Sequence, residues 1–216
     1  MIDEPVASSE ILPCYRARSQ LRRSDDIVNA SEHSSERHRW SVEEYRRMGE
    51  NGTLAPDARV ELIDGEVIDM TPIGSLHAGI VDQLARLLGR AVGDEAIVRV
   101  QNPVELSNRS EPEPDLTLLR PRDDFYKKAL PLASDVLLAI EVADSTLAYD
   151  RDIKRPLYAR HGVPEYWLID VNGGRVLTFR DPRGDGYAHE STLDDPRSVS
   201  IGALEGVTVD LSGLFA

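Results

Sequence analysis

The fold of this chain is decided by the stretch Leu137-Leu138-Ala139-Ile140-Glu141-Val142-Ala143-Asp144-Ser145-Thr146. The apolar run before Glu141 is typical of a central strand that is covered on both faces of a sheet. Glu141 lies at the far end of this strand. A carboxylate is costly to bury there unless a metal ion, a cation or a proton accompanies it. We therefore expect Glu141 to lie at the centre of a site.

A second acid opens an upstream strand in the segment Glu113-Pro114-Asp115-Leu116-Thr117-Leu118-Leu119. We expect adjacent strands to carry Asp115 and Glu141. Paired oxygen donors at strand ends suit a hard divalent ion such as Mg²⁺, which can lower the pKa of a bound water and clamp a scissile phosphate. The same pair is equally compatible with the general acid and base of a glycosidase, or with a purely structural role.

Composition limits the class of protein. The chain has 216 residues, of which 29% are charged and 41% hydrophobic, as in an ordinary globular domain with an additional tail. Its formal net charge of −13 argues against broad, non-specific wrapping of nucleic acid. A nuclease remains compatible with this charge, because divalent ions can neutralise an acidic centre.

Residues 1–37 are polar, rich in Ser and Arg and without a clear period, which predicts a flexible N-terminal tail before a domain at 38–216. The single cysteine, Cys14, excludes an intrachain disulfide and fits a reducing compartment. Neither a secretory signal nor a membrane-spanning run is recognisable, so we expect a cytoplasmic protein without membrane contact.

Turn and capping signals divide the domain into elements. Ser41-Val42-Glu43-Glu44 is a capping box, which predicts a helix that runs to about Glu50. Asp64-Gly65 lies between two alternating apolar runs and predicts a β-hairpin. Apolar residues at helical spacing predict a long helix over Gly74–Val92.

The remaining pattern completes a mixed sheet. Short strands are predicted over Ala96–Val100 and Val104–Leu106, and a buried strand over Val163–Asp170. A helix is predicted over Asp150–His161, with these residues on its inner side: Ile153, Leu157 and Tyr158. The element order predicts an α/β (α+β) fold in which a mixed β-sheet is flanked by helices.

Several segments together resemble the Uma2-type, or DUF820, branch of the PD-(D/E)xK nuclease superfamily. They are Glu61-Leu62-Ile63-Asp64-Gly65-Glu66-Val67, Glu113-Pro114-Asp115-Leu116, Glu141-Val142-Ala143-Asp144-Ser145-Thr146, the series Asp150, Lys154 and Tyr158, and Gly162-Val163-Pro164-Glu165-Tyr166-Trp167-Leu168-Ile169-Asp170. The resemblance implies a restriction-endonuclease-like fold and a metal-dependent DNA endonuclease that uses Mg²⁺, with Mn²⁺ as a substitute. DNA would then be the substrate.

The chain departs from the superfamily pattern at Ala143, where a lysine usually follows the second acid by two residues. A methyl group neither donates a hydrogen bond nor polarises water. The resemblance suggests Lys154 as a displaced lysine on the following helix, where Asp150, Lys154 and Tyr158 form an i, i+4, i+8 stripe. The alternative role for Lys154 is a surface ion pair with Asp150, worth only about 0.3–0.5 kcal/mol.

The resemblance also implies roles for the remaining residues. Asp115 and Glu141 would bind Mg²⁺ directly, Glu61 would bind it through water or hold a second ion, and the carbonyl oxygen of Val142 would add a ligand. Lys154 would position the attacking water and stabilise the charge that develops on phosphate. His77 would contact a substrate phosphate, although a capping or otherwise satisfied histidine explains it equally.

Two further hypotheses remain open. One is an interaction protein that keeps the nuclease fold but is catalytically weak or inactive, which the acidic charge and Ala143 favour. The other is a different carboxylate hydrolase. An exposed sheet edge near the C-terminus predicts a homo-oligomer, most simply a dimer.

Overall fold

The structure of the protein is a computed structural model that describes residues 37–216. The predicted tail therefore lies outside the described residues, apart from Arg37. The first helix, α1, spans Val42–Glu50. Its capping box is present as predicted: Ser41 Oγ accepts from the Glu44 N–H, and the Glu44 carboxylate accepts from the Ser41 N–H. No helix within the described range is long and apolar enough to span a bilayer.

The predicted hairpin is present as β1 (Val60–Ile63) and β2 (Glu66–Asp69), which form a separate two-stranded antiparallel sheet. Its turn requires positive φ at Asp64 (48°) and Gly65 (79°), which Asp and Gly tolerate. Backbone hydrogen bonds in both directions join Leu62 of β1 to Glu111, with N···O distances of 3.3 and 2.7 Å. These bonds fix Glu61 beside the central sheet.

The long helix α2 spans Ser75–Val92, in agreement with the prediction. The central sheet has six strands in the spatial order β3 to β8, and a 3₁₀ turn, Ala133–Asp135, precedes β5. The strands are β3 (Ile97–Val100), β4 (Leu116–Leu119), β5 (Val136–Ala143), β6 (Glu165–Asp170), β7 (Arg175–Arg183) and β8 (Gly186–Asp194). Only the pair β5–β6 is parallel, so the sheet is mixed but mostly antiparallel. This arrangement confirms the predicted mixed sheet flanked by helices.

The two faces of β5 belong to two different hydrophobic clusters. Leu138, Ile140 and Val142 pack in the cluster that contains the inner face of α2. Ala139 and Ala143 belong to the opposite cluster. Because side chains alternate along a strand, Glu141 points to the same side as these two alanines.

The crossover from β5 to β6 is a helical segment that we call α3, since a parallel pair needs such a connection. It consists of α-helical Leu147–Tyr149, π-helical Asp150–Lys154 and α-helical Arg155–Arg160. The Arg155 N–H donates to the Asp150 carbonyl, five residues back, as a π turn requires. The helix therefore begins three residues earlier than predicted.

The π turn overturns one prediction about α3. Leu157 and Tyr158 are buried as expected, but Ile153 is 44% exposed. The extra residue in the π turn breaks the i, i+4 relation that would place Ile153 above Leu157 on the inner face.

The prediction of a short strand over Val104–Leu106 is also wrong, because this segment forms only isolated bridges, such as Glu105 with Leu132. At the C-terminal end, β9 (Ser198–Ser200) and β10 (Thr208–Asp210) form a second two-stranded sheet. Its residues Val199 and Val209 pack in the same cluster as α2. The central sheet is thus covered by α2 and this C-terminal sheet on one face, and by α3 on the other.

The positions of Ile153 and Leu157 can be tested by substitution. We expect Ile153→Asn to change the free energy of unfolding by no more than about 0.5 kcal/mol, as surface substitutions do. The matched variant Leu157→Ala, four residues later, should cost about 2–5 kcal/mol because it leaves a cavity in the core. Urea denaturation measures both. A loss of similar size in the two variants would contradict the exposure of Ile153.

Candidate active site

A cleft of about 430 Å³ opens where the hairpin, the first turn of α2, the ends of β4 and β5, and α3 meet. Its lining contains a large excess of acidic side chains: Glu61, Asp69, Glu113, Asp115, Glu141, Asp144 and Asp150. Arg59, His77 and Lys154 are the basic side chains in the same lining. The cleft therefore carries a negative potential that attracts cations.

Asp115 and Glu141 lie next to each other because β4 and β5 pair antiparallel, with Leu116 opposite Ile140. Asp115 Oδ2 accepts from the Val142 N–H at 2.9 Å, and Oδ1 lies 2.9 Å from His77 Nε2 and 3.2 Å from Gln101 Nε2. Burial opposes ionisation of Asp115, but these hydrogen bonds and the His77 charge outweigh it and lower its pKa. Asp115 is therefore a carboxylate at neutral pH.

His77 lies on the first turn of α2 and contacts Asp115 directly. The hydrogen bond that His77 donates to Asp115 raises the pKa of His77 and outweighs the opposing effect of its burial. The Val142 backbone and the charge of Asp144 act in the same direction. His77 therefore lies in the cleft lining as a hydrogen-bond donor beside Asp115.

Lys154 projects from the π turn of α3 into the centre of the cleft. Its Nζ lies 3.0 Å from Glu141 Oε1 and 3.2 Å from Glu61 Oε2, and all three side chains are at least 94% buried. Glu141 Oε1 also accepts from the Tyr158 hydroxyl at 2.8 Å. The alternative of a surface ion pair between Lys154 and Asp150 is therefore wrong.

The charges of this group are coupled. Burial opposes the ammonium form of Lys154, but Glu141, Glu61 and Asp150 outweigh that effect and raise its pKa. Burial raises the pKa of Glu141 well above its usual range, and the other acids add to this rise. The ammonium group of Lys154 is thus shared between the two buried acids Glu61 and Glu141. One cation does not balance two negative charges, so ionisation of both acids at once is unfavourable.

As the side chains stand, no three His, Cys, Asp or Glu residues within residues 37–216 converge closely enough to hold a metal ion. Lys154 and His77 occupy the carboxylate oxygens that a metal would need. The carboxylates nevertheless fit a hard divalent ion, because their ligand atoms are oxygens. The single ammonium of Lys154 also balances only one of the two negative charges of Glu61 and Glu141. Glu141 belongs to the cleft lining, and its Oε2 receives no hydrogen bond from the described residues, whereas Oε1 accepts two. Val142, the predicted carbonyl ligand, follows Glu141 directly on β5, and its N–H donates to Asp115 Oδ2.

Four acids of the cleft were not among the predicted site residues: Asp69, Glu113, Asp144 and Asp150. Glu113 lines the cleft with a pKa raised by burial, and its N–H donates to Glu61 Oε2 at 3.3 Å. The sequence feature that could have identified Glu113 is its position between Pro112 and Pro114, directly before Asp115. Asp150 is buried at the start of the π turn, and burial raises its pKa to about 6. The sequence feature that could have identified Asp150 is its i, i+4 spacing to Lys154 on the same helix.

Fold and cleft together define a class: an α+β protein of nuclease type, in which a mixed sheet presents neighbouring acids to a lysine. The sequence model of a protein family, described as "Uma2: Putative restriction endonuclease", matches residues 42–212. The chain belongs to the Uma2 family.

One solved structure supports the fold. It is described as the crystal structure of a "putative nuclease belonging to DUF820" from Anabaena variabilis ATCC 29413. The likeness has a TM-score of 0.62 at 17% sequence identity and covers 81% of this chain and 97% of that chain. This confirms the predicted restriction-endonuclease-like fold. A search of curated proteins gives no significant match.

The shared ammonium charge makes a testable prediction for stability. We expect Lys154→Met to lower the free energy of unfolding by about 3–5 kcal/mol, because it leaves two buried carboxylates without their cation. Burial already raises the pKa of Glu141, and without the cation the folded chain binds a proton there still more tightly than the unfolded chain does. The loss should therefore be larger at pH 8 than at pH 5, where protonation relieves it. Urea denaturation at both pH values measures this difference.

Lys128→Met is the matched control, since Lys128 is exposed. It should change stability by no more than about 0.5 kcal/mol at either pH. A loss for Lys154→Met that is equally small would contradict the buried ion-pair geometry.

Asp150 gives a prediction with the opposite sign. Its pKa in the folded chain, about 6, lies above the ordinary value of 3.8, so ionised Asp150 destabilises the folded state as pH rises through this window. Asp150→Asn should therefore stabilise the metal-free protein at pH 8, by up to about 3 kcal/mol. The gain should fade towards pH 4, where Asp150 is protonated in the folded chain and the unfolded chain also begins to bind the proton. Denaturation in the presence of a chelator checks this.

The exposed neighbour Asp152 provides the control, because Asp152→Asn on the same helix should leave the pH dependence nearly unchanged. Asparagine at 150 retains an oxygen that can accept from Thr146 Oγ1, as Asp150 does. Equal stability of wild type and Asp150→Asn at pH 8 would contradict the raised pKa.

Proposed function

We propose that this protein is a metal-dependent DNA endonuclease of the PD-(D/E)xK type, which hydrolyses phosphodiester bonds with a metal-activated water. The observation that carries the proposal is the position of the Lys154 ammonium, 3.0 Å from Glu141 and 3.2 Å from Glu61, beside Asp115 on the adjacent strand. Two neighbouring acids and a lysine are the groups that hydrolysis of a phosphodiester at a metal centre requires. The Uma2 family description supports the nuclease class.

The proposed cofactor is Mg²⁺, with Mn²⁺ as a substitute. Asp115 and Glu141 would hold the ion, with Glu61 and the Val142 carbonyl as further ligands. Bound there, the ion would lower the pKa of a coordinated water and offset the negative charge of the phosphate. Glu141 Oε2, which receives no hydrogen bond from the described residues, supports this assignment.

Lys154 replaces the strand lysine that the PD-(D/E)xK pattern places at the position of Ala143. Ala143 faces the same side of β5 as Glu141, so a lysine there would reach the space that the Lys154 ammonium occupies from α3. In the proposed reaction, Lys154 holds the attacking water by a hydrogen bond and stabilises the charge that develops on phosphate. His77 adds a positive charge next to Asp115, where it can contact a phosphate oxygen.

The second candidate function is an interaction protein with the nuclease fold and weak or no activity. One structural observation favours it: Lys154 and His77 already neutralise the carboxylates that would bind a metal. The net charge of −13 also disfavours approach of DNA without added cations. DNA as substrate and a homodimer as the working form are part of the first proposal, and a second protein would be the partner in the alternative.

Nicking of supercoiled plasmid in the presence of Mg²⁺ or Mn²⁺ tests the endonuclease. We expect the full chain to convert the plasmid to the relaxed form, and Asp115→Asn, Glu141→Gln and Lys154→Met each to lower the rate by at least about 100-fold. The controls Asp152→Asn and Lys128→Met change exposed residues and should retain the wild-type rate. Nicking that survives in both Glu141→Gln and Lys154→Met would refute the assignment.

Calorimetric titration with Mn²⁺ separates the two candidate functions. A metal-dependent nuclease should show saturable heat that disappears in Asp115→Asn, whereas the interaction protein should show little heat in any variant. Circular dichroism of each variant confirms that a loss of heat does not result from unfolding.

A further inference from the structure

The Tyr149 hydroxyl is the one tyrosine hydroxyl within residues 37–216 that is buried without a hydrogen-bond partner. Every other described tyrosine hydroxyl donates a hydrogen bond: Tyr45 to the Val60 carbonyl, Tyr126 to the Arg120 carbonyl, Tyr158 to Glu141, Tyr166 to the Asp150 carbonyl and Tyr187 to the Val163 carbonyl. A buried hydroxyl that lacks a partner destabilises the folded state, because it has lost its hydrogen bonds to water. Such a group in a folded protein calls for an explanation, and a ligand is one of the few available.

Tyr149 lies in the candidate active site. It is the last residue of the first segment of α3, directly before Asp150, and it lines the cleft. The charges that act on its hydroxyl are those of the cleft, with Glu61 first, followed by Lys154, Asp150 and Glu141. Tyr149 and Lys154 line the same cleft, so a group that meets this hydroxyl enters through that cleft.

The hydroxyl is a donor in this position. Burial and the surrounding acids raise the pKa of Tyr149, so the phenol keeps its proton at any working pH. The hydroxyl is shielded from bulk solvent in the free protein. Its complement is an oxygen acceptor that a ligand carries into the cleft.

We propose that Tyr149 donates a hydrogen bond to a non-bridging phosphate oxygen of bound DNA and thereby positions the scissile phosphate next to Lys154. The inference rests on the proposed endonuclease function. A neutral donor suits the acidic cleft, because it binds an anionic oxygen of the phosphate. A cationic side chain in the same position would instead pair with the surrounding carboxylates. Tyr149 and Lys154 then contact the phosphate from the same helix, one residue before the π turn and at its last residue.

The test compares Tyr149→Phe with Tyr187→Phe, because the two substitutions remove the same atom. Tyr187 is buried outside the cleft, and its hydroxyl donates to the Val163 carbonyl at 3.1 Å. For each full-length variant, thermal unfolding of the free protein and single-turnover nicking of supercoiled plasmid with Mn²⁺ are measured. Opposite patterns are expected in the two variants.

Tyr149→Phe should leave the unfolding midpoint equal to or above that of the wild type, since no internal hydrogen bond is lost. It should lower the nicking rate by about 10- to 100-fold, as expected for a hydrogen bond to a charged group. Tyr187→Phe should lower the unfolding midpoint and nick at the wild-type rate.

Two results would overturn the inference alone: undiminished nicking by Tyr149→Phe, or a fall in its unfolding midpoint as large as that of Tyr187→Phe. The second result would show that the hydroxyl already has a partner inside the free protein. If the wild-type chain nicks with neither Mg²⁺ nor Mn²⁺, the endonuclease proposal fails and this inference fails with it.

Discussion

The ammonium group of Lys154 joins three elements that share no backbone hydrogen-bond ladder. Glu61 comes from the hairpin, Glu141 from the central sheet, and Lys154 itself from α3. Each carboxylate would be costly to bury alone, and the pair would repel each other without the cation. The three elements can therefore pack as they do only when the lysine lies between the acids. The cleft exists because this packing leaves the carboxyl groups facing a common space.

The π turn is what brings the charged side chains of α3 to this space. Asp150 and Lys154, at the two ends of the turn, are both buried, while Ile153 between them is exposed. A polar inner face on a helix that crosses over a buried strand contradicts the usual amphipathic pattern. Departures of this kind are expected at functional sites, where residues needed for binding or catalysis replace those that the local structure would favour. The same turn directly follows Tyr149 and ends with Lys154, and both residues are among the donors that we assign to phosphate.

Much of the fold could be predicted because its signals are local. The capping box at Ser41 and the Asp64-Gly65 turn each specify their element within four residues, and α2 shows an uninterrupted helical period. The predictions that were wrong concern segments whose conformation depends on contacts with residues distant in the sequence. The segment Val104–Leu106 is apolar enough for a strand but finds only isolated bridges, and the exposure of Ile153 depends on an insertion in the turn that no periodicity records.

The candidate site was predictable in part for the same reason. Asp115 and Glu141 follow from strand-end position, and Lys154 follows from its stripe together with the family resemblance. The proximity of Glu61 to Lys154 depends on how the hairpin docks on Glu111, which is a tertiary contact. The unpaired hydroxyl of Tyr149 is a property of what surrounds it, so no sequence pattern could reveal it.

The docking of the hairpin has one more consequence. Glu61 belongs to a two-stranded unit outside the six-stranded sheet, which is attached to the rest of the domain by the Leu62–Glu111 bridge, by the bond from the Gly65 N–H to the Arg109 carbonyl and by the ion pair of Arg160 with Asp64, among other contacts. Local opening of so small a unit requires far less free energy than global unfolding. A brief excursion of the hairpin would withdraw one of the two counter-ions of Lys154 and admit water, while Asp115 and Glu141 stay in register on their strands. The ammonium group then keeps Glu141 as its remaining partner, while Leu62 and Ile63 of the hairpin leave the core and the six-stranded sheet stays intact.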